Sequence, residues 1–129
     1  MAIYLSQEWH DLARELAQGF PEHAGASARM VYNVSGGPGG DLTYFQVTEN
    51  GRVVEQGLGV CERADFTVSL TWADAVSVQS GELDPNVAFM QGRMKVAGNM
   101  GKVMALLPIT MSPEYRDLQI RLQAATEYP

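Results

Sequence analysis

The apolar pattern of this sequence predicts an α+β fold: one sheet, with helices packed on a single face. Three observations carry that reading. Leu5, Trp9, Leu12, Ala13, Leu16 and Phe20 recur at helical spacing near the start. From Ala28 the period changes to two, and three strand patterns follow in an antiparallel meander, joined at residues 36–40 and at Asn50-Gly51. Two further strand patterns, at residues 65–71 and 93–97, are set apart by helical segments. A chain of 129 residues is the size of one domain and buries about two-thirds of its unfolded surface without disulfides or metals.

Each element has a local cause. The opening helix runs about three turns, with Ser6 as N-cap and Gly19 then Pro21 as stop signals. In the first strand Ala28, Met30, Tyr32 and Val34 alternate with Arg29, Val31, Asn33 and Ser35. Residues 42–49 resume the pattern, and Asn50-Gly51 signals a tight hairpin into a third strand, Arg52–Leu58. In the fourth, Phe66, Val68, Leu70 and Trp72 face one way, while Asp65, Thr67, Ser69 and Thr71 face the other. Thr71 with Asp74 makes a capping pair for a helix from Trp72 to about Ser80, stopped at Gly81. Asp84 then caps a short helix with Pro85 in its first turn and Gly92 at its end. A brief strand follows in which Met94 and Val96 share a face, and Asn99 caps a helix through Leu107 that Pro108 ends. Ser112-Pro113-Glu114 opens a terminal helix, about residues 113–126, with Tyr115, Leu118, Leu122 and Ala125 on one face. A single layer of this kind leaves an apolar space between sheet and helices, to be filled by side chains or by a ligand.

Composition bounds the function. Cys61, the single cysteine, has no partner within the chain, which fits a reducing cytoplasm; with no histidine near it in sequence, it reads as an inert thiol. The start, Met-Ala-Ile-Tyr-Leu-Ser-Gln-Glu-Trp, lacks the basic lead and apolar run of an export signal. No segment approaches the ~20 apolar residues of a membrane span, so the expectation is a soluble, cytoplasmic protein. A formal net charge of -6 argues against a general nucleic-acid binder, because neutralising phosphates takes clustered cations. The charge is uneven: residues 85–111 hold three cations, Arg93, Lys95 and Lys102, and no anion, while all 15 acids lie elsewhere. Such a stretch is either a solvated basic edge or a contact for lipid headgroups.

The chain offers little catalytic chemistry. His10 and His23 have no second ligand at metal spacing, so no metal site is expected, and His10 reads as a surface or half-buried side chain. The glycines at 36–40 lack the Gly-Lys-Ser/Thr ending of a phosphate cradle and precede a strand, which makes them a hairpin loop. Gly98-Asn99-Met100-Gly101-Lys102 does open a helix, as a capped start with at most weak affinity for an anionic headgroup. Five of the seven methionines, Met90, Met94, Met100, Met104 and Met111, fall within 22 residues. Methionine adapts to irregular apolar partners, which suits a promiscuous pocket as well as an ordinary core.

Several motifs resemble the sterol carrier protein 2 family. They are Gly37-Pro38-Gly39-Gly40 before an aromatic strand, Asn50-Gly51, Ala64-Asp65-Phe66-Thr67-Val68, Ser80-Gly81, Leu83-Asp84-Pro85, Ala88-Phe89-Met90-Gln91-Gly92 and Met94-Lys95-Val96-Ala97-Gly98-Asn99-Met100-Gly101, with Met104 beyond. They span about residues 30–107 in the family's order, and Phe-x-Gln-Gly-x-x-Lys-x-x-Gly-Asn-Met-Gly is the most specific. The resemblance implies a five-stranded mixed sheet with about five helices on one face, enclosing an apolar tunnel for fatty acids, acyl-CoA, sterols or phospholipids. It also implies a binding and transfer module with no catalytic residues or cofactor of its own. Carried over by position, Leu83, Phe89, Met90, Met94, Met100, Val103, Met104 and Leu107 form the tunnel wall. Phe66, Val68, Leu70 and Trp72 form its sheet side, with Arg93, Lys95 and Lys102 as a basic rim.

This chain departs from the family at three places. Ser77 and Gln79 stand where the family is more continuously apolar, Glu82 where a lysine is common, and the ending Glu-Tyr-Pro is not the peroxisomal Ser-Lys-Leu address. A bacterial, cytoplasmic, stand-alone member fits these features. The expected partner is a lipid or other hydrophobic small molecule, with at most transient membrane contact; a homodimer or a partner enzyme served by the same groove is the alternative. An enzyme acting on a steroid or quinone precursor would have to use Tyr32, Tyr44 or Asp65, to which the sequence gives no paired base.

Overall fold

In the computed structural model, which describes residues 2–128 without the side chains of Leu107 and Thr110, the elements in chain order are β1 (Ala2–Ile3), α1 (Gln7–Leu16) with a 3-10 turn at Ala17–Gly19, β2 (Ala28–Gly37), β3 (Gly40–Glu49), β4 (Arg52–Leu58), β5 (Phe66–Thr71), α2 (Trp72–Gln79), α3 (Pro85–Met90), β6 (Lys95–Gly98), α4 (Met100–Ala105), α5 (Leu107–Thr110), α6 (Pro113–Ala124) and β7 (Thr126–Glu127). The main sheet has the order β4-β3-β2-β5-β6. It is mixed, as the resemblance implies: β2 and β5 run parallel and every other pair is antiparallel. The connection over residues 59–65 returns the chain from edge strand β4 to β5. It is tied to β2 where Arg29 Nε donates to the Glu62 carbonyl at 2.7 Å and the Arg29 amide to Asp65 Oδ2 at 2.8 Å.

The expected caps are formed. Ser6 Oγ accepts from the Trp9 amide, Thr71 Oγ1 from Asp74, Asp84 Oδ1 from Asn86, Asn99 Oδ1 from Lys102 and Ser112 Oγ from Tyr115. Asn50 and Gly51 have φ of 49° and 88°, the pair of positive values that a two-residue type I′ hairpin demands. Three readings differ from expectation. No helix separates β4 from β5, where a helical segment was expected, because the connection over residues 59–65 is too short for one. The strand expected at residues 93–97 is Lys95–Gly98. The helix expected through Leu107 stops at Ala105, and Pro108 lies in the first turn of α5 instead of ending α4. Proline is tolerated there because the amide it lacks has no partner in a first helical turn.

The core lies on one face of the sheet. Met30, Val34, Phe66, Val68 and Leu70 are buried there with Trp9 and Ala13 of α1, Ala75 of α2 and Leu122 of α6. A smaller cluster of Ala17, Phe20, Ala26 and Ile109 joins the end of α1 to α5.

The chain ends are clasped, a feature with no periodic signal in sequence. β1 pairs parallel with β7, Ala2 opposite Thr126 and Ile3 opposite Glu127. Trp9 Nε1 donates to Thr126 Oγ1 at 3.0 Å, and Thr126 Oγ1 donates on to the Leu122 carbonyl at 2.5 Å. Thr126→Val keeps the shape and removes both bonds, leaving the buried indole N–H unpaired, so it should cost about 1–3 kcal/mol. Urea denaturation checks this; an unchanged midpoint would mean that the clasp contributes nothing to stability.

Candidate functional site

A cavity of about 180 Å³ lies between the sheet and the helices. Its roof comes from α1 and the turn after it, where Trp9, Ala13 and Ala17 follow one another at i, i+4 and Phe20 closes the row. The two alanines leave the space that larger residues at the same spacing would fill. The floor is the inner face of the sheet: Met30 and Tyr32 of β2, Tyr44, Gln46 and Thr48 of β3, and Val53 and Gln56 of β4. Gln79 at the end of α2, Leu106 and Ile109 close one side, and α6 closes the other with Tyr115, Leu118, Gln119 and Leu122.

The lining is aromatic and polar without charge. Tyr32 and Tyr44 stack with centroids 4.6 Å apart and planes 3° from parallel. Burial pushes the phenols of Tyr32, Tyr44 and Tyr115 up, so they stay neutral at physiological pH. Among the described lining residues there is no Asp, Glu, Lys, Arg or His. The space can therefore hold a neutral molecule and offer it hydrogen bonds, and it has no group to neutralise a buried ion.

His10 stands behind this lining, against expectation. It is fully buried at 0% exposure, its ring 4.8 Å from that of Tyr44 and 5.2 Å from that of Trp9. The sequence places it at the surface or half-buried, but β4 and β3 close over that flank of α1. Gln56 Nε2 lies 2.9 Å from His10 Nδ1; an amide donor there sets the tautomer with the proton on Nε2, which has no partner among the described residues. Burial lowers its pKa to about 4, the nearby Asp11 charge opposing only in part, and the imidazole is neutral.

The residues named from the sequence lie elsewhere in the domain. Phe66, Val68 and Leu70 are buried on the inner face of β5, and Leu83 is buried beside α2. Trp72, Met94 and Val103 are half-buried against the same core. Phe89, Met90, Met100 and Met104 are exposed, Met90 at 83% and Met104 at 60%. The side chain of Leu107 lies outside the described residues. None of the eleven with described side chains lines the cavity. Tyr4 explains the displacement: its ring lies 5.0 Å from Trp9 and 5.3 Å from Trp72, and its hydroxyl donates to the Ala75 carbonyl at 3.1 Å. These aromatics fill the space over β5, so the unfilled volume sits over β2, β3 and β4. The missed lining residues carried one readable signal, since Gln46 and Thr48 fall on the alternation that places Leu42 and Tyr44 inward.

The three rim cations do not act alike. Arg93 is bound to Asp74, with Nη2 2.6 Å and Nε 3.0 Å from the same carboxylate oxygen. With Lys95 it borders an open polar cleft of about 570 Å³ on the outside of the sheet. Lys102 is half-buried in the first turn of α4, away from both spaces. Among the described residues, no helix is long and apolar enough to cross a membrane.

Comparison with known proteins follows this geometry. The SCP-2 sterol transfer family matches over residues 15–110. Sterol carrier protein 2 of Rattus norvegicus is 33% identical over 88 residues, which are 66% of this chain and 16% of that protein. The chain thus spans about a sixth of the length of the curated relatives of that name. A crystal structure of sterol carrier protein 2 superposes with a TM-score of 0.68 at 16% identity, covering 93% of this chain and 97% of the other. The palmitated sterol carrier protein 2 like 2 of Aedes aegypti gives a TM-score of 0.58 at 16% identity, covering 81% and 89%. At such identities the likeness is one of fold.

Proposed function

The chain belongs to the SCP-2 sterol transfer family, and we propose that its cavity is the seat of a lipid-like ligand, which the protein carries in the cytoplasm without chemical change. The partly open volume between sheet and helices is the observation that supports this reading. The palmitated Aedes aegypti protein supports it by fold. The family match over residues 15–110 includes the sheet, Ala17, Phe20, Gln79, Leu106 and Ile109 of the cavity wall, while Trp9, Ala13 and the α6 residues lie outside it.

Size decides what state the cavity is in. An engineered cavity of about 150 Å³ takes up benzene, so about 180 Å³ holds a fragment of a lipid, and a whole one requires the walls to move apart. A rigid empty space of about 300 Å³ would cost about 7 kcal/mol at ~24 cal/mol per Å³, comparable to a domain's entire stability. Contraction without ligand is the lower-energy state. Burying about twelve methylenes at ~0.8 kcal/mol each yields about 10 kcal/mol gross, which offsets reopening and leaves micromolar binding.

Native mass spectrometry of protein made in cells tests the reading directly, with a co-purifying lipid as the expected result. Ala13→Phe fills the roof and should reduce the adduct at least about tenfold while the domain stays folded. Met104→Arg, on the wall assigned by resemblance, should leave it in place. Loss in Met104→Arg alone would move the ligand to Met94, Met100, Val103 and Met104. No adduct and no thermal shift with fatty acids in the unaltered protein would remove the function altogether.

A second reading rests on the curated relatives being about six times longer than the matched stretch. The domain would then present its hydrophobic ligand to a partner enzyme, docking through the outer face of α6, where Ile120 is 65% exposed. Ile120→Asp would break that complex and spare the lipid adduct.

A further inference from the structure

We propose that the cavity seats the polar head of its ligand on β3, where the Thr48 hydroxyl and the Gln46 carboxamide hold a small oxygen group. That group is a hydroxyl or a carboxyl, and the ligand's chain runs on along the apolar wall. The inference rests on the reading of the cavity as a ligand site and goes further by naming which end of the ligand is recognised and by which side chains.

The inner face of the sheet is divided. β2 and β5 turn Met30, Val34, Phe66, Val68 and Leu70 into the core, while β3 and β4 turn Gln46, Thr48 and Gln56 toward the cavity. Gln46 stands directly opposite Met30 on one neighbouring strand and Gln56 on the other. An inward strand position is a poor place for an uncommitted polar side chain, because it loses hydration unless it finds a partner. Gln56 has one, since its Nε2 meets His10 Nδ1 at 2.9 Å. The side chains of Gln46 and Thr48 have none among the described residues.

Their burial says where these groups are open. Thr48 is 5% exposed, and an unpaired polar atom on such a residue is either sealed off from all space or open to the cavity. The sealed ones among the described residues are His10 Nε2 and Gln79 Nε2. Thr48 Oγ1 and both polar atoms of Gln46 are therefore open, on residues that line the cavity. A hydroxyl and an amide at alternate positions of one strand share a face and offer donors and acceptors together, which matches an oxygen head that accepts, donates or does both. Elsewhere in the lining Phe20, Leu106, Ile109 and Leu118 present only carbon from their side chains and suit an alkyl chain. A mostly apolar pocket with a few polar groups at fixed places is what orients a ligand.

Thr48→Val keeps the side chain's shape and Gln46→Met its length, so both variants should stay folded with melting temperatures held or raised. Dodecanoate, 1-dodecanol and, as a probe without a polar head, ethylbenzene are titrated near neutral pH and followed by chemical-shift changes at the cavity residues. The unaltered protein should bind all three. Each variant should bind dodecanoate and dodecanol about tenfold more weakly and ethylbenzene no more weakly. A loss confined to dodecanoate upholds the inference with a carboxyl head, and one confined to dodecanol upholds it with a hydroxyl. Orientation is read on the unaltered protein with stearate spin-labelled near its carboxyl or near its methyl end; the first label should broaden the amides of Gln46 and Thr48 more than the second. Unchanged affinities for both oxygen-bearing probes would mean that water satisfies the two side chains and would overturn the inference. An equal loss of ethylbenzene, or stronger broadening from the label near the methyl end, overturns it as well, and each of these results leaves the cavity a ligand site. Failure of every probe to bind, together with absence of a lipid adduct, overturns the ligand site itself.

Discussion

Gly98→Ala is expected to destabilise the domain by about 4 kcal/mol, at the extreme of what one added methyl group does. Gly98 ends β6 opposite Phe66 with φ of +127°, a conformation that a side chain opposes by itself. A Cβ there would lie 2.6 Å from the Asp65 carbonyl oxygen and 2.8 Å from Phe66 Cα. Both are backbone atoms of the neighbouring strand and cannot rotate away, so β6 would have to lift from β5. The adjacent turn would go with it, since the Asn99 amide donates to the same Asp65 carbonyl at 2.8 Å. Gly101→Ala is the control within the same motif: its φ is not positive, the nearest atom to an added Cβ is Asn99 Oδ1 at 3.2 Å, and α4 favours alanine over glycine by about 1 kcal/mol. Denaturant midpoints for the two variants should diverge sharply. Equal midpoints would show that β6 is free to shift and that the glycine is not required by strand approach.

That contrast says what the Gly-Asn-Met-Gly stretch is for. It was read as a helix start with at most weak anion affinity, and its first glycine and asparagine hold a strand edge and a cap. Such local signals were legible because each is decided within a few residues: the five side-chain caps, the Asn50-Gly51 turn and the extent of β4. The resemblance implied a five-stranded mixed sheet but not the order β4-β3-β2-β5-β6, because the parallel pairing of Met30 with Phe66 depends on a crossover and not on neighbours in sequence. β1 and β7 were illegible for a simpler reason. Two residues have no period, and Ala2 and Thr126 are buried by each other and by Trp9 rather than by any pattern of their own.

The site was less legible than the fold. Methionine density in residues 90–111 draws attention to α3 and α4, yet a helix of six residues has nearly as much outer face as inner, and Met90, Met100 and Met104 take the outer one. Composition cannot assign a face. The cavity depends instead on what is missing, the side-chain volume at Ala13 and Ala17, and on how far Tyr4 and Trp72 fill the opposite half of the interior. Both are tertiary facts. The polar residues Gln46, Thr48 and Gln56 were the available clue, since polar side chains at inward strand positions require partners or space.

His10 should make the domain acid-sensitive well above the range in which carboxylates titrate. Its folded pKa is depressed from 6.5 to about 4 by burial, so between those values the unfolded chain binds a proton that the folded chain refuses. Stability from this residue is complete above about pH 6.5 and declines as pH falls, levelling once the folded imidazole also protonates near pH 4. Going from about pH 7.5 to about pH 4.5 the loss is about 2.5 kcal/mol at 1.36 kcal/mol per unit. His10→Asn places an acceptor where Nδ1 meets Gln56 and cannot titrate. It gives up ring packing on Tyr44 and Trp9 and is expected to be less stable than the parent at the higher pH. The gap should narrow or reverse at the lower pH, because carboxylates common to both proteins cancel in the difference. Urea denaturation of both at the two pH values measures it, and a gap that stays constant would place the titration elsewhere. Because Gln56 and Tyr44 line the cavity and His10 braces both, protonation forced by acid should loosen the contact of α1 with the cavity floor, so retention of a co-purifying lipid should fall in the same pH interval as stability.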